Sequence, residues 1–102
     1  MVRVGDRVIA DSHSALRLSE ASYPPVYYIP RSDAQMLLLV RSDHSTYCPY
    51  KGECSYFSLR IGGAQTRNAV WSYEAPYLAV AAIKQYLAFY PDRVAIEAQK
   101  AH

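Results

Sequence analysis

Apolar and polar positions alternate in short runs through most of the chain, the period of strands buried on one face. Val2–Val4 and Arg7–Ala10 flank Gly5-Asp6 in a hairpin pattern. Residues 11–14 are rich in turn formers, and in 15–20 Leu16 and Leu18 share one face with Arg17 on the other. Pro24-Pro25 interrupts regular structure, Val26–Ile29 is β-branched and aromatic, and Pro30 ends it. Ser32-Asp33 suits the cap of a single helical turn before Met36. The run Met36–Val40 is ambiguous by period; its shortness predicts a buried strand, with the polar stretch 41–46 as a loop after it. In 53–61, Ser55, Phe57, Leu59 and Ile61 fall on one face and Cys54, Tyr56, Ser58 and Arg60 on the other. Gly62-Gly63 reads as a hairpin turn, with 68–73 returning and carrying Trp71. The period then changes. Val80, Ile83, Leu87 and Tyr90 stand at helical spacing between Pro76, suited to a first helical position, and Pro91, which predicts a helix over about 76–89 packed through Tyr86 and Tyr90. Residues 94–96 predict a last strand, and 99–102 are expected to fray. The connections are too short for parallel crossovers, so the fold class is mainly β: antiparallel strands with one C-terminal α-helix.

At 102 residues the chain fits a single domain over 1–102, with one modest core. A hydrophobic share of 51% with a net charge of only +2 excludes intrinsic disorder. The 11 Lys and Arg are dispersed, so no nucleic-acid partner is expected. No apolar run, Met36–Val40 included, approaches the length of a membrane span, and residues 1–6 lack the apolar core of a secretion signal. These features lead to the expectation of a cytoplasmic, reducing location, where a Cys48–Cys54 disulfide is disfavoured. Zinc is not expected either: the two cysteines lack tight pair spacing, and His13, His44 and His102 form no paired motif. No cofactor is implied, and monomer and homodimer both remain open.

Several segments carry a resemblance: Ile9-Ala10-Asp11-Ser12, Glu20, Pro25-x-Tyr27-Tyr28-Ile29-Pro30-x-x-Asp33, Cys48-Pro49-Tyr50-Lys51-Gly52, and Ala69-x-Trp71-Ser72-Tyr73-x-x-Pro76 with Ala88-Phe89-Tyr90. In this order, over nearly the whole chain, they resemble the family known as domain of unknown function 427. The resemblance implies a β-tent architecture similar to that of the Mss4-like proteins, two antiparallel sheets meeting at an angle. It supplies no demonstrated activity. A nucleotidyltransferase label attached to the family would call for magnesium held by converging carboxylates beside phosphate-binding backbone. The 9 acidic residues here are scattered, with no Gly-Ser loop followed by paired Asp.

The candidate chemistry follows from an unusual excess of 10 Tyr over 2 Phe and 1 Trp. Tyrosine has an apolar body and a polar tip and suits a half-wet wall. Tyr28, Tyr50, Trp71 and Tyr73, with Tyr27 and Tyr56 nearby, are therefore read as lining a cleft, with Glu20, Arg31, Asp33 and Lys51 as its fixed charges and Gly52 shaping the Lys51 turn. Aromatic faces suit a flat or cationic ligand, and Lys51 beside Gly52 suits an anion. The plainer reading is that the pentapeptide is a tight connection, Trp71 is core, and Glu20 pairs with Arg31. Cys48 is a candidate nucleophile, activated by Lys51 or by His44 as base. Small-molecule binding, with or without catalysis, thus stands beside an interaction module built on exposed tyrosines and a thiol-dependent enzyme.

Overall fold

A computed structural model describes residues 1–20 and 23–97. Nine strands are present among the described residues: β1 (Val2–Val4), β2 (Arg7–Ala10), β3 (Leu16–Leu18), β4 (Val26–Tyr28), β5 (Leu39–Cys48), β6 (Gly52–Ile61), β7 (Ala64–Ser72), β8 (Ala88–Phe89) and β9 (Ala95–Ile96). Every pairing is antiparallel, and the strands divide into three sheets of order β2-β1-β9, β3-β4 and β5-β6-β7-β8. The mainly β, antiparallel class expected from the alternation is what the chain adopts.

The long β6–β7 hairpin organises the rest. Gly62 and Gly63 both have positive φ, 56° and 85°, as a tight two-residue hairpin turn requires. Its register sets Tyr56 opposite Trp71 and Phe57 opposite Val70. Phe57, Leu59 and Val70 enter an aliphatic core with Val2, Ile9, Leu87, Phe89 and Val94. Tyr56 belongs to a second, tyrosine-rich core with Tyr28, Cys54, Tyr73, Ile83 and Ala88, against which Trp71 packs. Each fully buried aliphatic side chain in the first core, such as Leu59 or Leu87, contributes about 1.5–3 kcal/mol of transfer free energy. The small β3–β4 hairpin is tied to the large sheet where Ile29 and Leu87 exchange two backbone hydrogen bonds, each 2.8 Å.

Two expectations are corrected. There is no α-helix over 76–89. Residues Leu78–Ile83 form a 3₁₀ segment kinked at Val80, Gln85 takes φ 63°, and β8 follows. The reason lies in Leu87, Ala88 and Phe89, three consecutive buried residues. A helix cannot turn three successive side chains to one face, whereas a strand backed on both faces can bury them all. β7 pairs with β8, and Ile29 pairs with Leu87, so tertiary pairing overrides the helical spacing. The second correction concerns 36–46. Met36–Leu38 is a 3₁₀ turn with Leu37 98% exposed, and the polar stretch is not a loop but most of β5. Among the described residues β5 pairs only with β6 and forms a sheet edge, where exposed polar residues suit a strand. The expectation for 99–102 lies outside the described residues.

Arg31, in a 3₁₀ turn over Arg31–Asp33, ties the sheets together. Its guanidinium donates to Gln85 O at 2.7 Å, Ser72 Oγ at 3.2 Å and Glu74 Oε2 at 3.0 Å. Arg41 of β5 grips the same carboxylate through two bonds of 2.8 and 2.7 Å, and both guanidinia lie over the Phe57 ring. Arg31 thus pairs with Glu74, not with Glu20. The hydrogen bonds from Arg41, aided by those from Ser55 and Arg31, overcome partial burial and hold the Glu74 carboxyl down at about 2. A carboxyl depressed in the folded state stabilises fully above its unfolded value near 4.5 and loses that contribution as pH falls toward 2. Glu74→Gln is therefore expected to cost on the order of 1 kcal/mol at neutral pH, discounted for the water around Arg41. Urea unfolding should show the deficit constant above pH 5 and shrinking between roughly pH 4.5 and 2.

Candidate functional site

The tyrosine-rich face of the β6–β7 hairpin does not close into dry packing. Between it and the β3–β4 hairpin lies a cavity of about 730 Å³. This is within the usual size of small-molecule sites, roughly 300–1,000 Å³. Tyr27 and Tyr28 of β4, Tyr56 of β6 and Trp71 of β7 supply rings, joined by Tyr73 and Tyr90 from the residues after β7 and β8. Pro24, Pro25, Pro91, Leu18 and Ile96 add an apolar rim, and Glu20 and Lys51 are the two charged residues of the lining among the described residues.

The rings are held in mutual contact. Trp71 and Tyr90 lie with centroids 4.5 Å apart at 47°, and Tyr28 meets Trp71 edge-on at 6.5 Å and 88°. Trp71 Nε1 donates to Tyr28 Oη at 3.4 Å, Tyr90 Oη donates to Tyr56 Oη at 3.5 Å, and Tyr56 Oη lies 3.0 Å from Thr46 Oγ1. Burial pushes the Tyr28, Tyr73 and Tyr90 hydroxyls above the ordinary phenol range, so these rings stay neutral at physiological pH.

Lys51 is only 8% exposed, a rare state for lysine unless its charge is paired. The turn Cys48–Lys51 is closed by Lys51 N–H donating to Cys48 O at 3.2 Å. Gly52, at φ 109°, then starts β6 in a conformation that side chains resist. Lys51 O in turn accepts from Tyr77 N–H at 3.0 Å. Lys51 Nζ forms an ion pair with Glu20 Oε1, sits 3.9 Å from Cys48 Sγ and lies 5.9 Å from the Tyr73 ring centroid. Burial works against the charge and is the largest influence on it. The hydrogen bond and charge of Glu20, with smaller help from Cys48 and Tyr28, outweigh burial and hold the ammonium above the ordinary lysine range.

Of the candidate binding residues, Glu20, Tyr28, Lys51, Trp71 and Tyr73 line this one cavity. Arg31 and Gly52 have the structural surroundings described above. Tyr50 points away from the cavity, 81% exposed. Asp33 accepts from Ser12 Oγ at 2.6 Å and fastens its 3₁₀ turn to the segment after β2. His44 and Cys48 are not brought together. The His44 ring meets the Tyr56 ring tilted at 57° with centroids 4.5 Å apart, and three intervening residues of extended strand put His44 and Cys48 about 13 Å apart along β5. Cys48 is half-buried and Cys54 buried, both as free thiols. Among the described residues no three His, Cys, Asp or Glu side chains group together, a poor fit to a magnesium-dependent transfer. Sequence reasoning missed Tyr90, assigned there to helix packing. Reading Ala88-Phe89-Tyr90 as a strand would have placed Tyr90 on the same side as Ala88, which pairs with Trp71.

The Lys51 stem packs like a hydrocarbon, and removing its ammonium leaves behind only Glu20, 46% exposed at its side chain and able to take up water. Lys51→Met is therefore expected to shift unfolding stability by no more than about 1 kcal/mol in a denaturant titration. A loss of roughly 3 kcal/mol or more would mark the ammonium as a structural charge instead.

No curated protein matches this chain. A family model matches residues 1–100, and the chain belongs to the family described as Domain of unknown function (DUF427).

Proposed function

We propose that this domain binds a small molecule with a flat ring in the aromatic cavity. The observation that carries the reading is the cavity itself: about 730 Å³, walled by Tyr28, Tyr56, Trp71, Tyr73 and Tyr90, with one buried ammonium at its side. Large apolar walls with few placed polar groups are the ordinary design of a ligand site. The tilted Trp71–Tyr90 pair and the edge-on Tyr28 offer aromatic surfaces to a planar guest. Tyr28, Tyr73 and Tyr90 are neutral, and among the described lining residues Lys51 and Glu20 set the polar end.

The thiol reading has less behind it. Lys51 is the cation beside Cys48, yet its ammonium is engaged by Glu20, and His44 faces Tyr56. The interaction-module reading has a separate place on the molecule, where Tyr47, Tyr50, Tyr77 and Leu78 are exposed. That patch leaves the inward-facing rings unexplained.

Trp71, the single tryptophan, lies in the cavity wall and serves as the reporter. Titration with N-phenyl-1-naphthylamine, a neutral flat probe, is expected to quench Trp71 emission saturably by energy transfer. Tyr90→Ala, which removes the ring packed against Trp71, should weaken that binding about two- to tenfold, the worth of one aromatic pair. Quenching that never saturates, or binding indifferent to Tyr90→Ala, would contradict a site in this cavity.

A further inference from the structure

The two members of the Lys51–Glu20 pair are held very differently. Lys51 is fixed: its stem is buried, its N–H and carbonyl are both hydrogen-bonded within the turn, and its ammonium cannot leave the cavity wall without exposing that stem. Glu20 is not. Its side chain is 46% exposed, it lies beyond the end of β3, and Lys51 is its ion-pair partner. Water is at hand to receive its carboxylate, so giving up its place on Lys51 to another anion costs Glu20 little. The ammonium has three donors and no acceptor, and a second anion arriving from the cavity would meet it with a charge-assisted bond of comparable strength.

Resting on the small-molecule reading above, we infer that Glu20 is an internal stand-in for an anionic group of the ligand, and that the cavity takes planar aromatic acids whose anion replaces the Glu20 carboxylate on Lys51. The geometry separates the two halves of such a molecule. Trp71, Tyr90 and Tyr28 form the wall for the ring, and Lys51, beside Tyr73, marks the anionic end. The exchange of one carboxylate for another anion at Lys51 is close to neutral in free energy, so ring burial drives binding and the anion selects which rings are accepted. Glu20 makes that selection stricter, because a neutral ring gains nothing by displacing it and a cationic guest would have to leave Lys51 facing like charge. No covalent step is involved.

The test uses the whole chain and two probes of matched shape: 8-anilinonaphthalene-1-sulfonate, which carries an anion, and N-phenyl-1-naphthylamine, which lacks it. Glu20→Gln removes the internal competitor and is expected to tighten the sulfonate about threefold or more, while Lys51→Met weakens it about fivefold or more. The neutral probe should stay within about twofold in both variants, since neither residue is its anchor. Should Lys51→Met fail to give a cooperative melt, Glu20→Gln decides alone. A sulfonate affinity that is unchanged or weakened by Glu20→Gln would overturn the exchange, because Glu20 would then be positioning Lys51 and not masking it. Parallel shifts of both probes would overturn it too. A chain that binds the neutral probe but not the sulfonate keeps the cavity and loses the anion seat. A chain that binds neither loses both readings.

Discussion

The register of the β6–β7 hairpin is the constraint on which both cores and the cavity depend. Side chains alternate along a strand, so pairing Tyr56 with Trp71 commits Phe57 and Val70 to the opposite face. A slip by one residue would send aliphatic side chains into the tyrosine layer and hydroxyls into the aliphatic core. The Gly62-Gly63 turn sets the pairing of Leu59–Ile61 with Ala64–Thr66, an irregularity between Phe57 and Leu59, where Asn68 takes φ 51°, shifts it to the Tyr56–Trp71 register, and the Cys48–Lys51 turn, released by Gly52, sets the pairing at the start of β6 with β5. Lys51 is carried into the cavity wall as a consequence of the second turn.

The division of labour between the two faces explains the composition. The aliphatic face is dry and can do without polar atoms. The other face borders a cavity, where a phenylalanine would leave nothing to satisfy its surroundings and a tyrosine can pass its hydroxyl to a neighbour. The Thr46–Tyr56–Tyr90 contacts and the Trp71–Tyr28 bond are such arrangements. The same wall keeps an ammonium charged by pairing it with a carboxylate at its edge. The Arg31–Glu74–Arg41 cluster, by contrast, lies away from the cavity and joins a 3₁₀ turn, β5 and the segment after β7, so its charges serve the scaffold.

Much of this was legible from residue order. The alternation in 53–61 and the paired glycines locate the central hairpin, and the tyrosine excess points to a half-wet wall containing Tyr28, Trp71 and Tyr73. Lys51 was legible through its place in the pentapeptide. Two classes of feature were not. Local periodicity read 76–89 as a helix because it cannot register that Leu87 has a partner in Ile29, fifty-odd positions away in the chain and bonded through both backbone groups. Charge pairing was equally hidden: Glu20 and Arg31 each had several acceptable partners, and only the fold sends one to Lys51 and the other to Glu74. Tyr50 shows the opposite failure, a ring adjacent to Lys51 in sequence but turned to solvent because successive residues of a turn point to different sides.

The central claim, that the inward-facing rings form the binding surface, is tested most directly by intermolecular nuclear Overhauser contacts from bound N-phenyl-1-naphthylamine to assigned aromatic protons. Contacts to Trp71, Tyr90 and Tyr28 are the expected result. Contacts confined to Tyr47, Tyr50 and Tyr77 on the outer surface would contradict it.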